Sequence, residues 1–111
     1  MRRFRILILA PLLAVAAFPA AAGAGKAAKV EVGNGFYGPS ALSVKKGTKV
    51  RFDWTPSLEL HDVHVKQGPA KFHSPTQAAG SWSKTFTKSG KYVLYCTQHE
   101  DMTMKVTVKK R

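Results

Sequence analysis

The chain of 111 residues predicts an all-β domain, a small sandwich or barrel, on three observations. Apolar residues recur at every second position in short runs, turn-forming Gly, Pro and Ser separate those runs, and no stretch carries a helical period. About seven short strands follow from that pattern, with no internal repeat. The period matters because successive strand side chains point to opposite faces, so alternation gives one dry face and one wet face.

Residues 1–22 stand apart from this pattern. Arg2, Arg3 and Arg5 precede the apolar run ILILAPLLAVAAF, and small residues, AAAGAG, follow it. These are the three parts of a cleaved secretory signal, with the cut expected after Ala22 or, next best, after Ala24. The run is short and contains Pro11, whereas a membrane span needs about 20 apolar residues. No cysteine sits at the end of the signal, so a lipid-anchored form is not expected, nor is stable membrane insertion after cleavage. The domain is then 23–111.

Its elements read in order. KAAKVEV is extended, with Val30 and Val32 alternating with charged neighbours, and Gly35 to Pro39 is turn material. SALSV sets Leu42 and Val44 on one face before the Lys46-Gly47 turn. In KVRFDW, Val50, Phe52 and Trp54 share the dry face and Lys49, Arg51 and Asp53 the wet one. TPSLEL is a loop and HDVHV a short strand. QGPAKFHSPTQAAG, with two prolines and two glycines, is irregular. SWSKTF alternates through Trp82, Lys84 and Phe86. KYVLYC carries Tyr92, Leu94 and Cys96 on one face, and MKVTVKK closes the domain with Met104, Val106 and Val108 inward. Trp54, Trp82 and Phe86 are core candidates.

Charge narrows the partners. Removing the first 22 residues leaves 89, and the loss of three arginines takes the formal charge from +12 to +9. Export and the absence of a basic helix or RNA-binding aromatic motif argue against nucleic acid. The lysines are scattered along the wet faces of strands. The chain is expected to be a monomer.

The chemistry concentrates in YCTQHEDM, Tyr95 to Met102. A single cysteine in an exported protein cannot form an internal disulfide, so it is a buried thiol, an intermolecular partner, a nucleophile or a metal ligand. Strand parity points Cys96 inward at the end of its strand, with Tyr95 on the opposite face. His99 comes from a tight loop beyond it, and Met102 stands where the last strand begins. In HDVHV, His61 shares the face of Val63 and Val65, while His64 faces out; His73 is a loop residue. Thiolate, two imidazoles and a thioether can converge at one end of the sandwich. A His₂Cys set with a weak axial methionine is the donor set of blue-copper electron-transfer sites.

With these residues in view, the sequence resembles the cupredoxins, most closely the small plastocyanin- and amicyanin-like type 1 copper proteins. The resemblance rests on VKKGTKVRFDW, on His61-Asp62-Val63-His64, on GKYVLYC, on Cys96-x-x-His99-x-x-Met102 and on the closing MTMKVTV. It implies a Greek-key β-sandwich, one type 1 copper ion held by His61, Cys96, His99 and Met102, and electron exchange with redox protein partners. Three departures stand out. Asp62 replaces the family's usual asparagine, whose role is to stitch the two ligand loops; Thr97 is its expected donor here. Met104 replaces a usual glycine and points inward as a rival axial ligand, with Met102 favoured by spacing. Gln98, Glu100 and Asp101 surround His99 where relatives are often apolar. With Glu59 and Asp62 they suggest an acidic mouth on a basic body, able to dock a partner's basic patch.

The leading reading is an exported one-electron carrier, periplasmic or secreted, and not an enzyme. A periplasmic copper chaperone or scavenger using the same donors is the second. A cysteine hydrolase lacks a strand-to-helix nucleophile turn, and a zinc site would make poor use of a thioether.

Overall fold

The computed structural model describes residues 27–111, so the expected signal at 1–22 and its cleavage point lie outside the described residues. Eight strands make up the domain: β1 (Ala27–Val32), β2 (Tyr37–Gly38), β3 (Ala41–Lys45), β4 (Thr48–Trp54), β5 (His64–Gln67), β6 (Gly80–Phe86), β7 (Gly90–Cys96) and β8 (His99–Lys109). They form two four-stranded sheets, ordered β2-β1-β4-β6 and β3-β8-β7-β5. Every connection from β2 to β7 passes from one sheet to the other, and only β1–β2 and β7–β8 are hairpins within a sheet. β1 lies parallel to β4 and β3 parallel to β8; the remaining ladders are antiparallel.

The dry faces meet between the sheets. Val30, Val32, Val50, Phe52, Trp54 and Phe86 come from one sheet, and Leu94, Cys96, Met104, Val106 and Val108 from the other, all buried. Alternation is clearest in β4, where Thr48, Val50, Phe52 and Trp54 are the buried positions. Along the edge strand β6 only Phe86 is fully buried, and Trp82 is half-exposed. Phe72, from the irregular segment before β6, fills this side, with its ring edge-on to Phe86 at 5.4 Å and 6.1 Å from Trp82.

Three local expectations change. The GFYGP turn contains a two-residue strand, β2, because Tyr37 is buried and its hydroxyl donates to the carbonyl of Asp62. HDVHV is not one strand: β5 begins at His64, and His61 sits in an isolated bridge with Gln77, exchanging two backbone hydrogen bonds of 3.0 Å. The last strand begins at His99 rather than near Met102, so Thr97 and Gln98 alone turn the chain between β7 and β8.

Candidate metal centre

Cys96 closes the regular alternation of β7, which carries Tyr92, Leu94 and Cys96 inward, and its side chain is 1% exposed. The two-residue turn brings His99 directly opposite Cys96 in the ladder. Regular pairing resumes only at Tyr95 with Thr103, so Glu100, Asp101 and Met102 form a bulge on β8. A bulge re-aims side chains next to a ladder, and Met102, within this one, is buried. Met104 is buried too, but it pairs with Leu94, deeper in the sandwich. Register therefore places Met102 closer to Cys96 than its rival.

His61 reaches the same end from the other ligand segment. Its position is held by the Gln77 bridge and by its carbonyl, which accepts the Trp54 indole N–H at 2.9 Å. His61, Cys96 and His99 bring their donor atoms within 4.8 Å of one another. The two Nδ1 atoms are 3.2 Å apart, and Cys96 Sγ is 3.7 Å from His99 Nδ1. The outer nitrogens are occupied: His61 Nε2 donates to Asn34 Oδ1 at 3.1 Å and His99 Nε2 to Glu59 Oε1 at 3.0 Å. Both rings thus carry their proton on Nε2 and turn their Nδ1 lone pairs toward each other and the sulfur. Facing lone pairs repel unless a cation lies between them. Such an acceptor on the far nitrogen is the usual support of a metal-bound imidazole.

The spacing fits one first-row metal ion. With typical bonds of about 2.0 Å to nitrogen and about 2.3 Å to sulfur, nitrogens 3.2 Å apart would subtend about 106° at a shared ion. On the same lengths, the 3.7 Å sulfur–nitrogen distance subtends about 120°. Both angles are open enough for one ion to be shared by these donors, and a set of two imidazoles and a thiolate suits copper. Burial, then the neighbouring His99 ring, hold His61 below its usual pKa against the opposing pull of Glu59 and Asp62. It is a neutral donor at pH 7. The Gln98 N–H donates to Cys96 Sγ at 3.4 Å.

Asp62 departs from expectation. The parity of HDVHV sets it on the outer face and the charge pattern in an acidic mouth, yet it is 1% exposed. Its Oδ1 accepts the Thr97 N–H at 2.8 Å, and its Oδ2 accepts the hydroxyls of Thr97 at 2.6 Å and Thr76 at 2.9 Å. Burial opposes its ionisation, but these hydrogen bonds and the nearby His64 outweigh it and keep the carboxyl below its usual range. The tie between the ligand segments is therefore present, with Thr97 as expected and Thr76 in addition. His64 is half-exposed, its ring stacked on His73 at 4.9 Å, and neither belongs to the cluster. Asn34 and Glu59 were not foreseen as partners of the imidazoles. Asn34 lies in a Gly-Asn-Gly turn whose only sequence signal is the turn itself.

An eight-stranded sandwich with a thiol and two imidazoles gathered at one end, and a buried methionine in the bulge that follows His99, defines a small type 1 copper protein of the cupredoxin class. The chain belongs to the copper-binding proteins of the plastocyanin/azurin family, whose model matches residues 24–110. Among solved structures it is similar to a Pro-to-Ala variant of oxidised amicyanin, at 32% identity and a TM-score of 0.67, over 83% of this chain and 90% of that one. A Pro-to-Gly variant of amicyanin in its reduced Cu(I) form at pH 4 matches over the same shares, at 32% identity and a TM-score of 0.66. The copper-containing nitrite reductase of Thermus scotoductus SA-01 is 30% identical with a TM-score of 0.67, over 75% of this chain; the chain spans only 22% of that enzyme. No curated protein sequence matches. The protein is a copper-binding protein of the electron-transfer type, with one type 1 copper.

Proposed function

We propose that the protein is an extracytoplasmic one-electron carrier whose copper is held by His61, Cys96, His99 and Met102. The observation that carries this reading is the inward-facing Nδ1, Nδ1 and Sγ set, with both outer imidazole nitrogens already bonded. Bound copper supplies a reversible one-electron step between Cu(II) and Cu(I). The chain supplies a rigid frame for it. The Asp62–Thr97 tie locks the two ligand segments together, the Gln77 bridge fixes His61, and the two-residue turn leaves Cys96 and His99 little freedom. Donors that do not move between oxidation states keep reorganisation small, which favours transfer over turnover of a substrate.

His61 is buried, whereas the His99 side chain is 32% exposed, so His99 is the edge through which an electron reaches a partner. Glu59, Glu100 and Asp101 are exposed around it, alongside the exposed apolar side chains Leu58 and Leu60. This rim, without the buried Asp62, favours a redox partner that brings a basic patch to the copper end, with binding that weakens as salt rises. The apolar run and small residues of 1–22 support export to the periplasm or beyond.

Repeated cycling separates this reading from a copper chaperone. The copper-loaded protein is reduced with ascorbate and reoxidised many times beside a competing chelator. A carrier keeps its copper and its colour; loss of copper in the Cu(I) state contradicts the proposal.

A further inference from the structure

We propose that the end of the sandwich opposite the metal centre is a docking surface for anionic lipid headgroups. The strand registers define two poles. Val32, Trp54, Gly80, Cys96 and His99 end their strands at the copper pole, and Ala27, Thr48, Phe86, Gly90 and Lys109 lie at the other. Three turns and tails meet at this far pole, tied by Lys46 N–H to the Lys109 carbonyl and Gly47 N–H to the Phe86 carbonyl. They carry Lys45, Lys46, Lys88, Lys109, Lys110 and Arg111, all exposed. Lys45, Lys46, Lys110 and Arg111 line one shallow groove with Ser89. A terminal carboxylate at Arg111 would cancel one of these charges.

The acids lie elsewhere. Glu59, Asp62, Glu100 and Asp101 border the metal centre, and Glu31 pairs with Asp53 one residue from the copper end of their strands. No acidic side chain among the described residues sits at the far pole. The formal charge is thus polarised along the strands, a pattern that scattered lysines in the sequence do not reveal.

One feature favours a lipid surface over an acidic protein. Clusters of four to eight cations on one face match anionic headgroups, each contributing about a fivefold gain in partition close to the surface. Docked this way, the protein holds its copper pole away from the lipid, free for a partner. The proposal needs no assumption about redox role.

The test uses the full chain with vesicles of phosphatidylcholine alone and of phosphatidylcholine mixed with phosphatidylglycerol, read by co-sedimentation. The neutral vesicles measure what the apolar run contributes by itself. Stronger binding to the anionic vesicles, abolished by raised salt, is expected. Lys45→Gln/Lys46→Gln/Lys110→Gln lowers that binding about a hundredfold, from three cations at about fivefold each. Lys29→Gln/Lys66→Gln/Lys71→Gln removes equal charge from the flanks and lowers it far less. Equal binding to both vesicles, equal loss in the two triple variants, or capture by heparin or an acidic protein without vesicle binding overturns the proposal. All six positions are exposed, and unchanged unfolding temperatures verify that the variants are folded.

Discussion

Replacing Asp62 probes the tie that positions both ligand segments. Three donors converge on this buried carboxylate: the Thr97 N–H at 2.8 Å, the Thr97 hydroxyl at 2.6 Å and the Thr76 hydroxyl at 2.9 Å. Hydrogen bonds to a charged acceptor each contribute about 1.5–3 kcal/mol, set against the carboxylate's own desolvation. Asp62→Ala removes all three and strands the Thr97 N–H, for a net loss of about 3–5 kcal/mol. For a domain of this size each kcal/mol moves the unfolding midpoint by about 4–8 °C, so a fall of at least about 12 °C is expected. Asp62→Asn keeps one acceptor for the Thr97 N–H, and its amide can donate to both hydroxyls once they rotate. It forfeits charge assistance alone, about 1–2 kcal/mol. Thermal unfolding of the metal-free protein followed by circular dichroism measures both. If Asp62→Ala unfolds within about 1 kcal/mol of the wild type, or less readily than Asp62→Asn, the tie does not hold the segments together.

Other outcomes follow from neighbouring contacts. Asn34→Ala removes the acceptor from His61 Nε2 and lowers copper affinity by about 10–100-fold in a chelator competition, with the fold intact. Met102→Leu changes the electron-paramagnetic-resonance signature and potential of bound copper, whereas Met104→Leu leaves both in place and costs less than about 1.5 kcal/mol of packing. Gly90→Ala places a side chain at φ +138° and 2.9 Å from Pro69 Cγ, and a urea midpoint should report a loss of about 1–3 kcal/mol. Burial raises the Tyr92 pKa above the ordinary 10.0, and burial with nearby Cys96 and Asp62 raises that of Tyr37. A phenol whose folded pKa is raised contributes stability below its unfolded pKa that is lost as pH rises past it. Unfolding free energy should therefore decline above pH 10, and Tyr92→Phe should make that decline shallower.

Much of this architecture is legible in the sequence wherever a strand is regular. Tyr92, Leu94 and Cys96 obey strict alternation, and β7 points them inward as period 2 requires. The same rule fails at Asp62. His61, Asp62 and Val63 are buried consecutively because this stretch precedes β5 and takes its bonds from Gln77, Ser74 and Thr97 rather than from a continuous ladder. Parity has no meaning in such a segment. The Asn34 and Glu59 partners of the two imidazoles lie 27 and 40 residues from their rings. No local pattern encodes contacts made only when two sheets close. The polarised charge is hidden for the same reason, since Lys45, Lys88 and Lys110 are distant in sequence and neighbours only at one pole.

The central claim is that His61, Cys96 and His99 with Met102 form one type 1 copper site that cycles a single electron. Titrating Cu(II) into the protein while recording its visible absorption tests this most directly. The account predicts an intense blue copper–thiolate band that saturates at one equivalent, bleaches with ascorbate, returns on oxidation and is absent in Cys96→Ala. No blue band in the wild type, or a band that survives in Cys96→Ala, would contradict it.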